Sequence, residues 1–141
     1  MRTIGLDLGE KRIGVAAADD RTQVAVPLAA LAAGSDPVRE IARLLEEQGA
    51  DEVVIGLPLS MTGAVGPQAH QALQVVEELR LRLAIPVHTW DERLTTVQAS
   101  RSQPSREHRG RRSESEKGRR DAIAAAIMLQ AFLDSRRSVR A

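Results

Sequence analysis

Apolar residues in the first third of the chain fall into three short runs separated by polar turns, as in consecutive β-strands. The runs cover residues 3–8, 12–18 and 23–31. The connections at residues 9–11 and 19–22 are too short for a crossover, so neighbouring strands should run antiparallel. We therefore predict a three-stranded antiparallel meander at the start of the fold.

Helical and strand patterns alternate in the middle of the chain. Asp36 and Pro37 suit a helix start, with Asp as the N-cap and Pro at the first helical position, and Gly49 suits the end of that helix. The next predicted elements are a buried strand over residues 51–57, a helix over 67–83 and a short strand over 86–90.

The last third has a different character. Residues 103–118 are almost devoid of apolar side chains, which predicts a mobile basic loop. A short helix over residues 94–100 precedes it. A final helix over residues 119–134 follows, and residues 135–141 form a flexible basic tail.

This order of elements predicts an α/β fold. Three antiparallel strands followed by two parallel additions give a mixed five-stranded sheet with helices on both faces. The chain of 141 residues has the length of one ordinary domain, so we expect a single domain over residues 1–141.

Composition narrows the classes of function. There is no Cys, which excludes disulfides, thiolate zinc sites and cysteine nucleophiles and fits a reducing compartment. No apolar stretch reaches the roughly 20 residues of a transmembrane helix, and Asp7 interrupts the apolar run that a signal peptide would need. We expect a soluble cytoplasmic protein with no membrane partner.

The net charge of +1 hides an uneven distribution. The first 100 residues carry nine Lys and Arg against fourteen Asp and Glu, and the last 41 carry eleven against five. Such a division predicts a polyanion bound beside a carboxylate centre, with a solvated basic tail as an equal alternative. The aromatic residues are only Trp90 and Phe132, too few to stack on the bases of single-stranded nucleic acid. This composition favours contact with the backbone of folded or duplex nucleic acid.

Carboxylates lie beside three apolar segments that could converge. Asp7 interrupts a buried strand, Asp91 and Glu92 follow another strand, and Asp121 begins an Ala-rich helix. A buried carboxylate needs a cationic partner, and oxygen ligands without Cys suit Mg²⁺ or Mn²⁺. The chemistry indicated is metal-dependent cleavage of phosphodiesters. The alternative for Asp7 is an ion pair with a cation of the adjacent turn.

Adjacent side chains on an extended segment point in opposite directions, so Asp91 and Glu92 cannot both easily join Asp7. We favour Glu92 as the ligand and keep Asp91 as the alternative. Asp121 is placed in the first turn of its helix, where the helix dipole favours a carboxylate in any case. The alanines that follow it let this helix approach the sheet closely.

Cationic and hydroxyl side chains near these carboxylates could contact phosphates. The polar loop over residues 58–66 could also offer backbone N–H groups. Ordinary capping and surface pairing are the alternatives. The candidates for nucleic-acid binding are Lys11, Arg12, Ser60, Thr62, Arg93, Thr95, Thr96, Arg119 and Arg120.

Four segments resemble the YqgF family, also called RuvX, of Holliday-junction resolvases and pre-16S rRNA nucleases. They are GLDLGEKRIGVA at residues 5–16, VIGLPL at 54–59 with Gly63, DERLTT at 91–96 and DAIAA at 121–125, in the order of the family. Ala18 stands where the family pattern often has Ser. The order of elements is likewise that of ribonuclease H-like proteins.

The resemblance implies a ribonuclease H-like fold and a nuclease centre at Asp7, Glu92 and Asp121 with one or two Mg²⁺ or Mn²⁺ ions. It implies two substrates, the 5′ end of precursor 16S rRNA and four-way DNA junctions, and symmetric junction cutting would need a homodimer. Two other classes are alternatives: a non-catalytic module that binds nucleic acid or a transcription complex, and an actin-type or sugar-kinase-type ATPase. The ATPase class needs a second domain, for which this chain is too short.

Overall fold

The computed structural model describes residues 1–60, 62–94 and 114–140. Strands and helices within these ranges are β1 (Arg2–Leu8), β2 (Arg12–Asp19), β3 (Val26–Ala32), α1 (Pro37–Glu47), β4 (Glu52–Leu57), α2 (Pro67–Arg82), β5 (Val87–Asp91) and α3 (Glu114–Arg140).

The five strands form one mixed sheet in the order β3-β2-β1-β4-β5. β2 pairs antiparallel with both β1 and β3, whereas β4 pairs parallel with β1 and β5. The antiparallel meander with two parallel additions is therefore confirmed. β1 lies at the centre, so the side chains of its two faces point into two different layers.

Each face of the sheet has its own apolar core. One face packs Leu6, Val15 and Ile55 against α1 and α2. The opposite face is lined by smaller side chains and packs against α3, which confirms helices on both faces. A Cβ at Gly5 would lie 2.9 Å from the Cβ of Leu129, so a glycine here lets α3 lie close to β1.

The final helix is longer than the sequence pattern predicts. α3 begins at Glu114 and continues to Arg140, so the end of the predicted loop and most of the predicted tail are helical. Gly118, the last residue of the predicted loop, lets α3 pack closely on β3, because a Cβ there would lie 3.3 Å from the Cβ of Ala30. As a consequence Asp121 lies about two turns inside the helix, and its expected place in the first turn is wrong.

Two further differences are local. β3 begins at Val26 rather than at Gln23, because Gln23 has a φ of 56° and cannot continue a strand. The rest of the predicted loop, most of the predicted helix at 94–100, Thr95 and Thr96 lie outside the described residues. Within the described residues, no helix has the length and apolar character to cross a membrane.

A buried carboxylate, Glu52, ties the C-terminal half of α3 to the sheet. Its oxygens accept hydrogen bonds from Thr3 Oγ1 at 2.7 Å and from Arg136 at 2.7 and 3.0 Å, and one lies 3.0 Å from His88 Nε2. Arg136 also lies over the ring of Phe132. Burial alone would raise the pKa of Glu52, but the hydrogen bonds from Arg136 and Thr3 outweigh it and lower the pKa to about 2.

Candidate active site

Asp7 on β1 has a glycine beside it on each of the two neighbouring strands, on the face of the sheet that α3 covers. It pairs with Gly14 on β2. On the other side Leu6 pairs with Ile55, so the following residue, Gly56, comes beside Asp7. Because glycine has no side chain, both neighbours of Asp7 leave space on the face that its carboxylate shares.

Other groups of the chain occupy that space. A Cβ at Gly56 would lie 2.5 Å from Glu92 Oε1, and a Cβ at Gly14 would lie 2.0 Å from the carbonyl oxygen of Asp121. Glu92 and the backbone of Asp121 therefore approach Asp7 from opposite sides. The row of two glycines around one aspartate is what brings three distant segments together.

The Gly14 contact gives a testable consequence. Gly14→Ala should lower the free energy of unfolding by about 1–3 kcal/mol, because α3 must move away from the sheet. Gly66→Ala is the control, since Gly66 has a φ of −81° and nothing lies within 4 Å of its Cβ position. Because Gly66 is the N-cap of α2, this change should cost less than about 1 kcal/mol. Urea denaturation measures the stability of both variants. Equal stability of the two would contradict the close contact between Gly14 and α3.

The carboxyl groups of Glu92 and Asp7 are hydrogen-bonded to each other. Burial, then this hydrogen bond, then the negative charges of Asp7 and Asp91 raise the pKa of Glu92 from 4.5 to about 9. Without a bound cation, this shift favours the protonated form of Glu92 at neutral pH. Two carboxyl groups in such contact cannot both ionise without a cation to balance them.

The raised pKa of Glu92 predicts how stability depends on pH. Between about pH 4.5 and 9 the carboxyl group of Glu92 binds a proton more tightly in the folded protein than in the unfolded chain. The stability that this proton contributes is therefore lost as pH rises through this range. Glu92→Gln cannot lose a proton, so it should become increasingly more stable than the original protein towards pH 9. Urea denaturation in EDTA at pH 5, 7 and 9 measures this, and parallel pH curves for the two proteins would contradict it.

Asp91 is held away from the Asp7–Glu92 pair. Arg93 Nε donates to both of its carboxylate oxygens, at 3.0 and 2.9 Å, and this hydrogen bonding lowers the pKa of Asp91. Arg93 also approaches the β4–α2 loop, where a Cβ at Gly63 would lie 3.2 Å from Nη1. Arg93 thus joins the end of β5 to this loop, and its predicted phosphate contact would have to be made from that position.

Asp121 has a different partner from the one expected. Arg12 Nε donates to Asp121 Oδ2 at 2.6 Å, across from β2 to α3. Within the described ranges, no three His, Cys, Asp or Glu side chains are grouped so that they could hold a metal ion. The structure therefore joins Asp7 with Glu92 and places Asp121 nearby, but with its carboxylate turned to Arg12.

The remaining predicted contacts lie around this site. Arg12 and Arg119 line a groove of about 660 Å³ between β3 and α3. Ser60 and Thr62 hydrogen-bond to each other at 2.9 Å within the β4–α2 loop. Three of the predicted nucleic-acid contacts are exposed cations that present their charge to solvent: Lys11, Arg119 and Arg120.

Neither the role of Gly56 nor the groove beside β3 was predicted from the sequence. The alternation of strand residues does contain a signal for Gly56, because it lies two residues after Val54 on the face that α3 covers. The groove gives no such signal, since it depends on where α3 docks.

The sheet and its helices give the chain a ribonuclease H-like fold, which solved structures share. RuvC from T. thermophilus, solved in complex with a Holliday junction substrate, matches with a TM-score of 0.56 at 16% identity over 96% of each chain. The fowlpox virus Holliday junction resolvase matches with a TM-score of 0.58 at 15% identity, over 96% of this chain and 99% of that one.

The family follows from sequence. The family model described as RuvX, Holliday junction resolvase, matches residues 1–135, and the chain belongs to this family. A protein of Desulforudis audaxviator is 39% identical over 99% of both chains, and one of Roseiflexus sp. (strain RS-1) is 42% identical over 96% of both. Both relatives bear the name "Putative pre-16S rRNA nuclease". The resemblance seen in the four sequence segments is confirmed.

Proposed function

We propose that this protein is a divalent-metal-dependent nuclease that hydrolyses phosphodiester bonds in structured nucleic acid. The observation that carries the proposal is the hydrogen-bonded pair of Asp7 and Glu92, set between two glycines, with Asp121 on the adjacent helix. Membership of a resolvase family supports it. A module that only binds nucleic acid has no need of this costly grouping of carboxylates.

The residues present fit a hard divalent cation. Asp7, Glu92 and Asp121 offer oxygen ligands only, which is what Mg²⁺ and Mn²⁺ prefer. Burial and the neighbouring carboxylates raise the pKa of Glu92, and a bound cation would balance the negative charge of this group. We therefore assign one or two such ions to these three side chains.

In the proposed reaction each part of the chain has a distinct task. A divalent cation bound here would polarise a phosphoryl oxygen and lower the pKa of the attacking water. Asp7 and Glu92 would hold it, and Glu92 would release its proton on binding. The surrounding cations would orient the phosphate backbone; they are Lys11, Arg12, Arg93, Arg119 and Arg120.

The substrate is one of two classes. The names of the relatives point to precursor 16S rRNA, of which the sequence resemblance implies the 5′ end, and the family description points to four-way DNA junctions. Both are cytoplasmic nucleic acids, so we propose that the protein acts in the cytoplasm. Paired cuts across a junction require two active sites, and that substrate would therefore imply a homodimer.

A side-by-side cleavage assay tests the proposal. A four-way DNA junction, a plain duplex of the same sequence and a precursor 16S rRNA 5′ leader are each incubated with Mg²⁺, with Mn²⁺ and with EDTA. Cleavage of the junction or the leader that needs the metal supports the nuclease and identifies the substrate. Metal-independent binding of all three without cleavage would overturn it in favour of the binding module.

A further inference from the structure

Arg12 and Asp121 form an ion pair that competes with the role proposed for Asp121. The two side chains are partly exposed, at 26% and 33%, and Arg12 Nε lies 2.6 Å from Asp121 Oδ2. A carboxylate oriented and neutralised by a guanidinium is not available to a metal ion. The carboxylate of Asp121 can therefore pair with Arg12 or bind a metal ion together with Asp7 and Glu92, but it cannot do both at once.

The backbone of Asp121 already lies close to Asp7. Its carbonyl oxygen sits over Gly14, the residue that pairs with Asp7 across the β1–β2 ladder. Paired residues of antiparallel strands have Cα atoms only about 4.5–5.5 Å apart. A change in the side-chain torsions of Asp121, with α3 in place, would thus carry its carboxylate from Arg12 towards Asp7.

A second anion near Arg12 would favour the release of Asp121. A guanidinium does not deprotonate in proteins, and a partly buried one needs a counter-charge. Arg12 lines the groove between β3 and α3 together with Arg119, and a phosphate in that groove is within reach of the same guanidinium.

We propose that Arg12 is a positioning residue that couples metal binding to substrate binding. It holds Asp121 until a cation takes the carboxylate and a backbone phosphate takes the guanidinium. The two ligands then strengthen each other's binding by the same factor, as linkage requires. This inference rests on the proposed function, because it needs Asp121 to be a metal ligand.

The test is a calorimetric titration of the full chain with Mn²⁺, without nucleic acid. Arg12→Met should bind Mn²⁺ about three- to tenfold more tightly, because no ion pair has to be broken. Arg119→Met removes the same charge from the same groove, and its effect should stay below about twofold. In an Asp121→Asn background, Arg12→Met should bring no further gain.

A second readout separates positioning from structural damage. Arg12→Met should weaken binding of a four-way junction in EDTA while it tightens binding of Mn²⁺, whereas a misfolded variant would lose both. If Arg12→Met does not fold, Arg12→Lys, which keeps the charge but not the guanidinium geometry, should show a smaller gain in Mn²⁺ affinity. Equal Mn²⁺ affinity in the original protein and the folded variant would overturn the positioning role of Arg12 and leave the proposed function standing. Absence of Mn²⁺ binding in both would overturn the proposed function itself.

Discussion

Asp7→Asn is expected to lower the cleavage rate by at least about 10³-fold, because a carbonyl oxygen replaces a charged ligand at the centre of the site. Affinity for nucleic acid should be kept or improved, since one negative charge facing the phosphates is removed. Single-turnover cleavage and equilibrium binding of the same substrate measure the two effects.

Stability measurements show whether such a loss comes from the site or from unfolding. Asp7→Asn removes the charge that opposes ionisation of Glu92, so the variant should unfold at a higher temperature than the original protein in EDTA at pH 8. Asp91→Asn is the control. Asp91 is paired with Arg93 and its charge raises the pKa of Glu92 less than Asp7 does, so its gain in unfolding temperature should be smaller. Full activity in Asp7→Asn would rule out the assignment of this carboxylate to the metal.

Arg136→Met should give the largest loss of stability, about 3–5 kcal/mol in the free energy of unfolding, because it leaves the buried carboxylate of Glu52 without its cation. Arg137→Met is the matched control. Arg137 is 58% exposed and pairs with Asp134 on the helix surface, so its loss should cost less than about 1 kcal/mol. Similar losses in the two variants, measured by urea denaturation, would contradict the importance of the Glu52 network.

The same network predicts behaviour in acid. With a pKa of about 2 in the folded protein against an ordinary 4.5, Glu52 contributes stability above about pH 4.5 that is lost as pH falls towards 2. Glu52→Gln should flatten this acid limb. Combined with Arg136→Met it should cost less than the two single changes together, since no charge is then left unpaired. Additive losses would show that the two side chains do not act as a pair.

Most of the sheet could be predicted because short connections leave few choices. The turns before and after β2 are too short for a crossover, which determined the antiparallel part, and the helices α1 and α2 determined the parallel additions. Asp7 could be identified because burying a carboxylate in an apolar strand is costly unless a cation or hydrogen-bond donors pair with it. Strand alternation indicated that only one of Asp91 and Glu92 could easily join Asp7, and it left open which one. The structure pairs Glu92 with Asp7 and Asp91 with Arg93.

The parts that could not be predicted depend on tertiary docking. Residues 114–118 are polar enough for a loop and become helical, because Gly118 packs closely on β3. The ion pair of Arg12 with Asp121 joins positions 109 residues apart, and which partner the carboxylate faces is decided by side-chain torsions. Neither periodicity nor spacing contains that information.

We propose that Asp7, Glu92 and Asp121 form one metal centre. Anomalous diffraction from a crystal soaked in Mn²⁺ tests it most directly. We expect a peak in direct contact with carboxylate oxygens of Asp7 and Glu92, with Asp121 turned from Arg12 towards it. A crystal that takes up Mn²⁺ only elsewhere, with Asp7 and Glu92 still hydrogen-bonded to each other, would contradict the claim.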